Sequence, residues 1–224
     1  MIDSDPWSKT LTILAYIGLV IVFVFAIDFG VYVIAIASLG SLAMLAAGDA
    51  IAGKIGATGT ISSKPFLSIE FALFALIGFI ALDFTVPFII PVSLSTTATT
   101  GAFSVTALYI AMQGIPEEKL FRQGITNLVF RYTRKSVFWT ISLSAVIFGL
   151  VHIPVYFTDY VTLLIVIGAG MILAYVDFAT HRLSTSMIAH VGNNLMSVGY
   201  SVITGASIVS PGAVQAVLKM VFRI

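Results

Sequence analysis

The sequence predicts an all-α bundle of about seven to eight transmembrane helices with a cytoplasmic N-terminus. Three observations support this fold class. The 224 residues are 59% hydrophobic and only 9% charged, and their mean hydropathy is +1.08. Apolar runs of about 20 residues, the length that crosses a bilayer, recur along the chain. Basic residues concentrate in alternate connections between those runs. We therefore expect a single integral membrane domain over residues 1–224.

Seven of the apolar runs are long enough to be predicted as spans. They cover residues 10–27, 29–47, 69–92, 98–116, 137–154, 160–179 and 184–204. The third contains Asp83 and ends in Pro87 and Pro91, which favours a kink or an early exit. The tail, residues 211–224, is amphipathic and fits either a short eighth span or a helix in the membrane interface. We favour an eighth span because it places Lys219 and Arg223 on the same side as the other cations.

The basic residues lie almost entirely on one side of the predicted bundle. Connections on that side hold Lys9, Lys54, Lys64, Lys119, Arg122, Arg131, Arg134, Lys135 and Arg182, and those on the other side hold none. The positive-inside rule then places this side and the N-terminus in the cytoplasm. A formal net charge of +1 indicates no nucleic-acid partner. The absence of cysteine excludes thiolate nucleophiles and cysteine-ligated metals.

Two adjacent glutamates, Glu117 and Glu118, follow the fourth predicted span. A charged side chain in hydrocarbon costs roughly 2.5–3.5 kcal/mol even on lenient scales, so such residues are candidates for a functional site. Glu118 and Arg122 are four residues apart on a helix, where they share a face and can pair. The pair would hold Glu118 ionised and leave Glu117 as the candidate general base. Taken alone, the segment fits surface charges at a helix end equally well.

Two later spans carry further polar side chains at helical spacing. Phe148 and His152 are four residues apart, and so are His190 and Asn194. Each pair would therefore lie on one helix face. Because polar side chains also hold membrane helices together, a purely structural role is an alternative for each of them.

The three polar segments are expected to lie at one depth. If the helix after Glu117 turns near Lys135, then Glu117 lies 18 residues before that turn and His152 lies 17 residues after it. In an antiparallel pair of helices these two residues face each other at nearly the same level. His190 lies eight residues beyond Arg182, roughly 12 Å in from that connection, and reaches the same level if the hairpin projects into the cytoplasm by several residues. Asp177 and His181 are also four residues apart, but we expect them to form a pair at the interface, outside this site.

The three segments together resemble the CPBP family, which takes in type II CAAX prenyl endopeptidases, bacteriocin-processing proteins and Abi-type membrane proteins. The family pattern is EExxxR, then FxxxH, then HxxxN or HxxxD. All three occur here in that order within about residues 105–200, as Glu117-Glu118 with Arg122, Phe148 with His152, and His190 with Asn194.

The resemblance implies an all-helical intramembrane endopeptidase with about eight spans. Together with the distribution of basic residues, it predicts a protein of the cell membrane whose active site opens toward the cytoplasm. Glu117 and His152 would activate a water molecule, and His190 and Asn194 would stabilise the oxyanion. The supporting residues would be Glu118, Arg122 and Phe148. The implied partners are membrane lipid and a peptide or protein substrate. Prenylated CAAX-type C-termini and other membrane-proximal peptides are the candidate substrates.

A metal-dependent reaction is the first alternative. Zinc accepts nitrogen and oxygen ligands, so Glu117, His152 and His190 could in principle bind it. The sequence contains no HExxH motif, and the three residues belong to separate helices. We therefore favour hydrolysis without a metal or other cofactor.

Two non-peptidase functions are the remaining alternatives. A non-enzymatic scaffold or regulatory partner of the same family would keep the polar residues as a structural network. A transporter would use them as a proton relay, but no inverted repeat is evident. The presence of every motif residue favours the enzyme.

Overall fold

A computed structural model of the protein describes residues 5–28, 32–55, 103–153 and 160–204. These residues form helices and turns, and no strand occurs among them. The predicted span at 69–92 and the tail at 211–224 lie outside the described residues. The total of seven to eight spans therefore stays a prediction.

The helices follow the predicted order of the apolar runs. Their bounds are α1 Pro6–Asp28, α2 Tyr32–Ile55, α3 Phe103–Glu118, a π-helical segment Lys119–Thr126, α4 Asn127–Tyr132, α5 Val137–Val151, α6 Tyr160–Thr180 and α7 Leu183–Thr204. Within the described residues, three stretches are long and apolar enough to cross a membrane: Pro6–Asp28, Ile34–Ala52 and Tyr160–Thr180. Val137–Val151 is also apolar but shorter.

Helix α1 buries mostly small residues and exposes large apolar ones. The buried face of α1 repeats every three or four residues with Ser8, Thr12, Ala15, Leu19, Val22 and Ala26. Its opposite face exposes Ile13, Ile17, Val20 and Val24. This is the pattern of a lipid-facing helix, because helix association in lipid depends on close packing rather than on removing apolar surface from water. Helices α1, α2, α3 and α7 share one apolar core, which includes Leu19, Leu45, Ile115 and Met187.

The connection from α3 to α5 is a hairpin, as the polar segments predicted. The chain leaves α4 through Arg134 and Lys135, which have positive φ angles of 53° and 65°, and the Lys135 N–H donates to the carbonyl of Phe130. The first arm of the hairpin, which continues from α3, differs from a plain α-helix because Lys119–Thr126 is π-helical. Such segments are rare and occur frequently at functional sites.

The hairpin does not stand free of the bundle. Lys119 and Arg122, two of the cations counted as belonging to a connection, are buried. Lys119 pairs with Asp49 of α2 at 2.8 Å. A Cβ atom at Gly48 would lie 2.7 Å from the carbonyl oxygen of Lys119, so α2 lies directly against the π segment. The side chain of Arg122 lies beside Glu118, in the polar cluster described below.

Candidate active site

The two glutamates at the end of α3 point into the protein. Glu117 is 5% exposed and Glu118 is fully buried. The alternative of two surface charges at a helix end is therefore wrong. Burial of two adjacent carboxylates is costly unless each has a partner, and the two differ sharply in the partners they have.

Glu118 is held by two cationic or ionisable groups. Its Oε2 accepts a hydrogen bond from Nε of Arg122 at 3.1 Å, and its Oε1 lies 2.9 Å from Nδ1 of His190. Because a carboxylate can only accept, the Nδ1–H of His190 donates to it. Hydrogen bonds of this kind, in which a partner is ionised, are the strong ones in proteins. Arg122 and His190 thus favour the ionised form of Glu118, and the predicted Glu118–Arg122 pair is confirmed.

Glu117 has no direct hydrogen bond of this kind to either histidine. Its Oε2 lies 3.6 Å from Nε2 of His190 and 3.8 Å from Nε2 of His152. The predicted convergence of Glu117, His152 and His190 is therefore present in the structure. Their side chains are 7%, 17% and 11% exposed, whereas those of Glu118 and Arg122 are completely covered. The Glu117 side of the cluster is its accessible side.

The ring of His152 is oriented by the backbone of its own helix. Nδ1 lies 2.7 Å from the carbonyl oxygen of Phe148. Since a carbonyl only accepts, Nδ1 carries the hydrogen and donates it. In the neutral ring, Nε2 then carries the lone pair, and it faces Glu117. Helix α5 ends at Val151, so His152 stands at the helix end, where its ring can turn toward the site.

Phe148 packs against both histidines and both arms of the hairpin. Its ring centroid lies 4.6 Å from that of His152 and 6.2 Å from that of His190. The guanidinium carbon of Arg122 lies 4.9 Å from the same centroid, and the Phe121 ring meets it edge-on at 5.0 Å. A cation above an aromatic face is attracted by the ring quadrupole. Phe148 therefore fixes the spacing between the groups it touches.

A glycine outside the three sequence motifs permits the approach of α7 to α3. A Cβ atom at Gly114 would lie 3.1 Å from both Cγ of His190 and the backbone nitrogen of Val191. Any larger side chain would push the His190 backbone away from α3. Gly114 lies one turn before Glu118, but this position is a weak signal in the sequence because glycine is frequent in membrane helices generally.

Asn194 makes a packing contact. Its Nδ2 donates to the backbone carbonyl of Ile110 on α3 at 2.9 Å. The structural alternative named for this residue thus has a definite partner. An amide nitrogen carries two hydrogens, so one N–H remains for a second acceptor.

The expectation of an interfacial pair between Asp177 and His181 is wrong. Asp177 is completely buried on α6, while His181 is exposed. The i, i+4 spacing predicts a shared face only if the helix continues. Here α6 ends at Thr180, and His181 has a positive φ of 54° that turns it out of the helix.

Asp177 instead belongs to the buried side of the polar cluster. It lies within the electrostatic reach of Glu118 and Arg122, and close to the hydroxyl of Ser186. That hydroxyl donates to the carbonyl of Leu183 at 3.0 Å. Both carboxylate oxygens of Asp177 and both Nη atoms of Arg122 are buried without a hydrogen-bond partner among the described residues. The polar cluster therefore extends beyond the three sequence motifs to Asp177.

The donor atoms around Glu117 can be compared with those of a zinc site. A carboxylate oxygen and two imidazole nitrogens are ligand types that zinc accepts. No group of three His, Asp or Glu side chains in the described part of the chain has an arrangement that could hold a metal ion. Hydrolysis without a metal stays a prediction.

The comparisons with known proteins agree with the motifs. The family model described as type II CAAX prenyl endopeptidase Rce1-like matches residues 98–196, the stretch that contains all the motif residues. Neither the curated proteins nor the solved structures contain a match to this chain. The resemblance drawn from the three motifs is confirmed for this stretch, because residues 98–196 are similar to the Rce1-like type II CAAX prenyl endopeptidase family.

Proposed function

We propose that the protein is an intramembrane endopeptidase in which Glu117 is the general base. The observation that carries this proposal is the meeting of two imidazole Nε2 atoms at one oxygen of a buried but accessible carboxylate, at 3.6 and 3.8 Å. These separations exceed a direct hydrogen bond, and they suit three groups that share one small molecule. A substrate water is the molecule that a peptidase would hold there.

The two histidines have different tasks in this proposal. His190 lies between two carboxylates, with Nδ1 at Glu118 and Nε2 toward Glu117, and this environment favours the imidazolium, whose Nε2–H can donate. It can therefore stabilise a developing oxyanion. The His152 ring, with its hydrogen fixed on Nδ1, offers Nε2 as an acceptor to the water.

The reaction can be written with these groups alone. Glu117 removes a proton from the water while the water oxygen forms a bond to the carbonyl carbon of the peptide. The resulting oxyanion is stabilised by His190 and by the second N–H of Asn194. The carbon–nitrogen bond then breaks, and the amine leaves with the proton that Glu117 had taken. Glu118 and Arg122 hold His190 in place throughout.

The substrate proposal rests on the family match and on charge. Type II CAAX prenyl endopeptidase is the description of the matching family, so prenylated CAAX-type C-termini are the first substrates to test. The uneven distribution of lysine and arginine favours a site that opens toward the cytoplasm of a cell membrane. We retain seven to eight spans and a cytoplasmic N-terminus as part of the proposal.

The test uses purified protein in lipid nanodiscs with a farnesylated CAAX peptide and its unprenylated counterpart. We expect wild-type protein to release the C-terminal tripeptide, and Glu117→Gln to lower the rate about 10²–10⁴-fold, the usual contribution of a general base. Asp28→Asn, a carboxylate lost from the exposed end of α1, serves as the control. Turnover by Glu117→Gln equal to that of the control would exclude Glu117 as the base. Cleavage of neither peptide by wild-type protein would exclude CAAX-type substrates.

A further inference from the structure

One buried carboxylate joins the beginnings of two helices that are far apart in the sequence. Asp5 is completely buried just before α1. Its Oδ1 accepts the backbone N–H of Ser8 at 3.0 Å. Its Oδ2 accepts both the backbone N–H of Ser184 at 3.1 Å and the hydroxyl of Ser184 at 2.9 Å. Asp5 therefore caps the first turn of α1 and the first turn of α7 together.

The physical reason for this arrangement is the electrostatics of helix ends. The first N–H groups of a helix have no partner within the helix, and the helix dipole places partial positive charge there. A single carboxylate has enough acceptor sites to serve two such ends. Because both oxygens are engaged, removing the carboxylate leaves unpaired donors on two helices at once.

Helix α7, the second of the two helices that Asp5 caps, carries His190 and Asn194. His190 lies six residues after Ser184, about 9 Å along the axis at 1.5 Å per residue. The contact between Glu118 and Nδ1 of His190 crosses from α3 to α7, so it depends on the position of α7 along and about its own axis. Leu183 and Met187, in the first turns of α7, pack in the same core as Leu19 of α1. The start of α7 is thus fixed against α1 by packing and by the Asp5 carboxylate.

We propose that Asp5 is a positioning residue for His190, and hence that the first helix is a working part of the site. Asp5 lies outside residues 98–196, the stretch that matches the family. Asp5 contacts none of the groups assigned to the reaction. It acts by fixing the position of α7 along and about the helix axis. When turnover is measured, the inference rests on the proposed peptidase function. When hydrogen exchange in α7 is measured, it does not depend on that function.

The experiment compares Asp5→Asn, Ser184→Ala and the double variant with wild-type protein in nanodiscs. An asparagine keeps one acceptor oxygen, so it can cap one of the two helices but not both. Ser184→Ala removes the hydroxyl donor and keeps the backbone N–H. Ser38→Ala is the matched control, because Ser38 is equally buried on α2 and its hydroxyl donates within its own helix, to Ile34.

Two readouts separate positioning from general stability. The first is turnover, for which we expect Asp5→Asn to lower kcat by about 10–100-fold with KM within about twofold, since a 1 Å misplacement can cost about 10²-fold. The double variant should lose little more than Asp5→Asn alone, because both changes remove the same contact. The second is amide hydrogen exchange, which should accelerate at residues 183–190 in Asp5→Asn and stay unchanged there in the Ser38→Ala control.

Several results would overturn the inference. These are an unchanged kcat in Asp5→Asn, losses from Asp5→Asn and Ser184→Ala that simply multiply, and a kcat loss of equal size in the Ser38→Ala control. Should wild-type protein cleave no peptide, the proposed function fails and hydrogen exchange alone decides. Unchanged exchange at residues 183–190 in Asp5→Asn would then refute the capping of α7.

Discussion

Replacing each of the adjacent glutamates by alanine should separate stability from activity. Glu118→Ala removes the acceptor of both Arg122 and His190, and it leaves the buried guanidinium of Arg122 without its carboxylate partner. Glu117→Ala removes a carboxylate whose two imidazole neighbours lie at 3.6 and 3.8 Å. We expect both variants to lose peptidase activity but only Glu118→Ala to lose much stability.

The size of the difference follows from the geometry. Removing one partner of a buried ion pair costs about 3–5 kcal/mol. Both glutamates are buried and both become alanine, so the cavity terms largely cancel between the two variants. For a chain of this size, 1 kcal/mol corresponds to a shift of about 2–4 °C in Tm. Glu118→Ala should therefore melt about 6–20 °C below Glu117→Ala.

The assay is thermal unfolding in detergent or nanodiscs, followed by intrinsic fluorescence, with peptide cleavage measured on the same preparations. Equal Tm values for the two variants would refute the assignment of Glu118 as the structural partner of Arg122 and His190. A Glu117→Ala variant that keeps wild-type turnover would refute the assignment of Glu117 as the general base.

Three further predictions test other contacts. Asn194→Ala should cost about 1 kcal/mol of stability through the lost hydrogen bond to Ile110, and it should lower kcat about 10²–10³-fold. Asn193→Ala should keep the wild-type kcat. If Asn194→Ala lowers Tm but not kcat, Asn194 has a packing role alone. Gly48→Ala should destabilise the protein by about 1–3 kcal/mol through overpacking against the π segment. Gly40→Ala, where a Cβ meets nothing within 4 Å, should be neutral or stabilising in the same unfolding assay, and equal Tm values would contradict the close contact. Exhaustive chelation should leave activity intact; loss of activity that zinc restores would assign the reaction to a metal.

The composition and the spacing of polar residues were enough to predict much of this protein. Apolar runs predict membrane helices because hydrocarbon requires about 20 apolar residues per crossing. Spacings of four predict the Glu118–Arg122 pair because the helix repeat itself brings such residues together. Equal distances from the turn predict that Glu117 and His152 meet, and they do. All of these are local or one-dimensional properties of the chain.

The remaining features depend on how separate helices lie against one another. No spacing connects Asp5 with Ser184, which are 179 residues apart, or Asn194 with Ile110, which are 84 apart. The separation of His181 from buried Asp177 depends on where α6 ends, and the positive φ of His181 turns that residue out of the helix. Buried polar groups must find partners wherever the fold places them, so their identity follows from three-dimensional packing and not from sequence spacing. The sequence by itself determined which residues could form the site and that Glu118 could pair with Arg122. The tertiary structure added the contact between Glu118 and His190 and left Glu117 on the accessible side of the cluster, because α7 packs against α3 at this level.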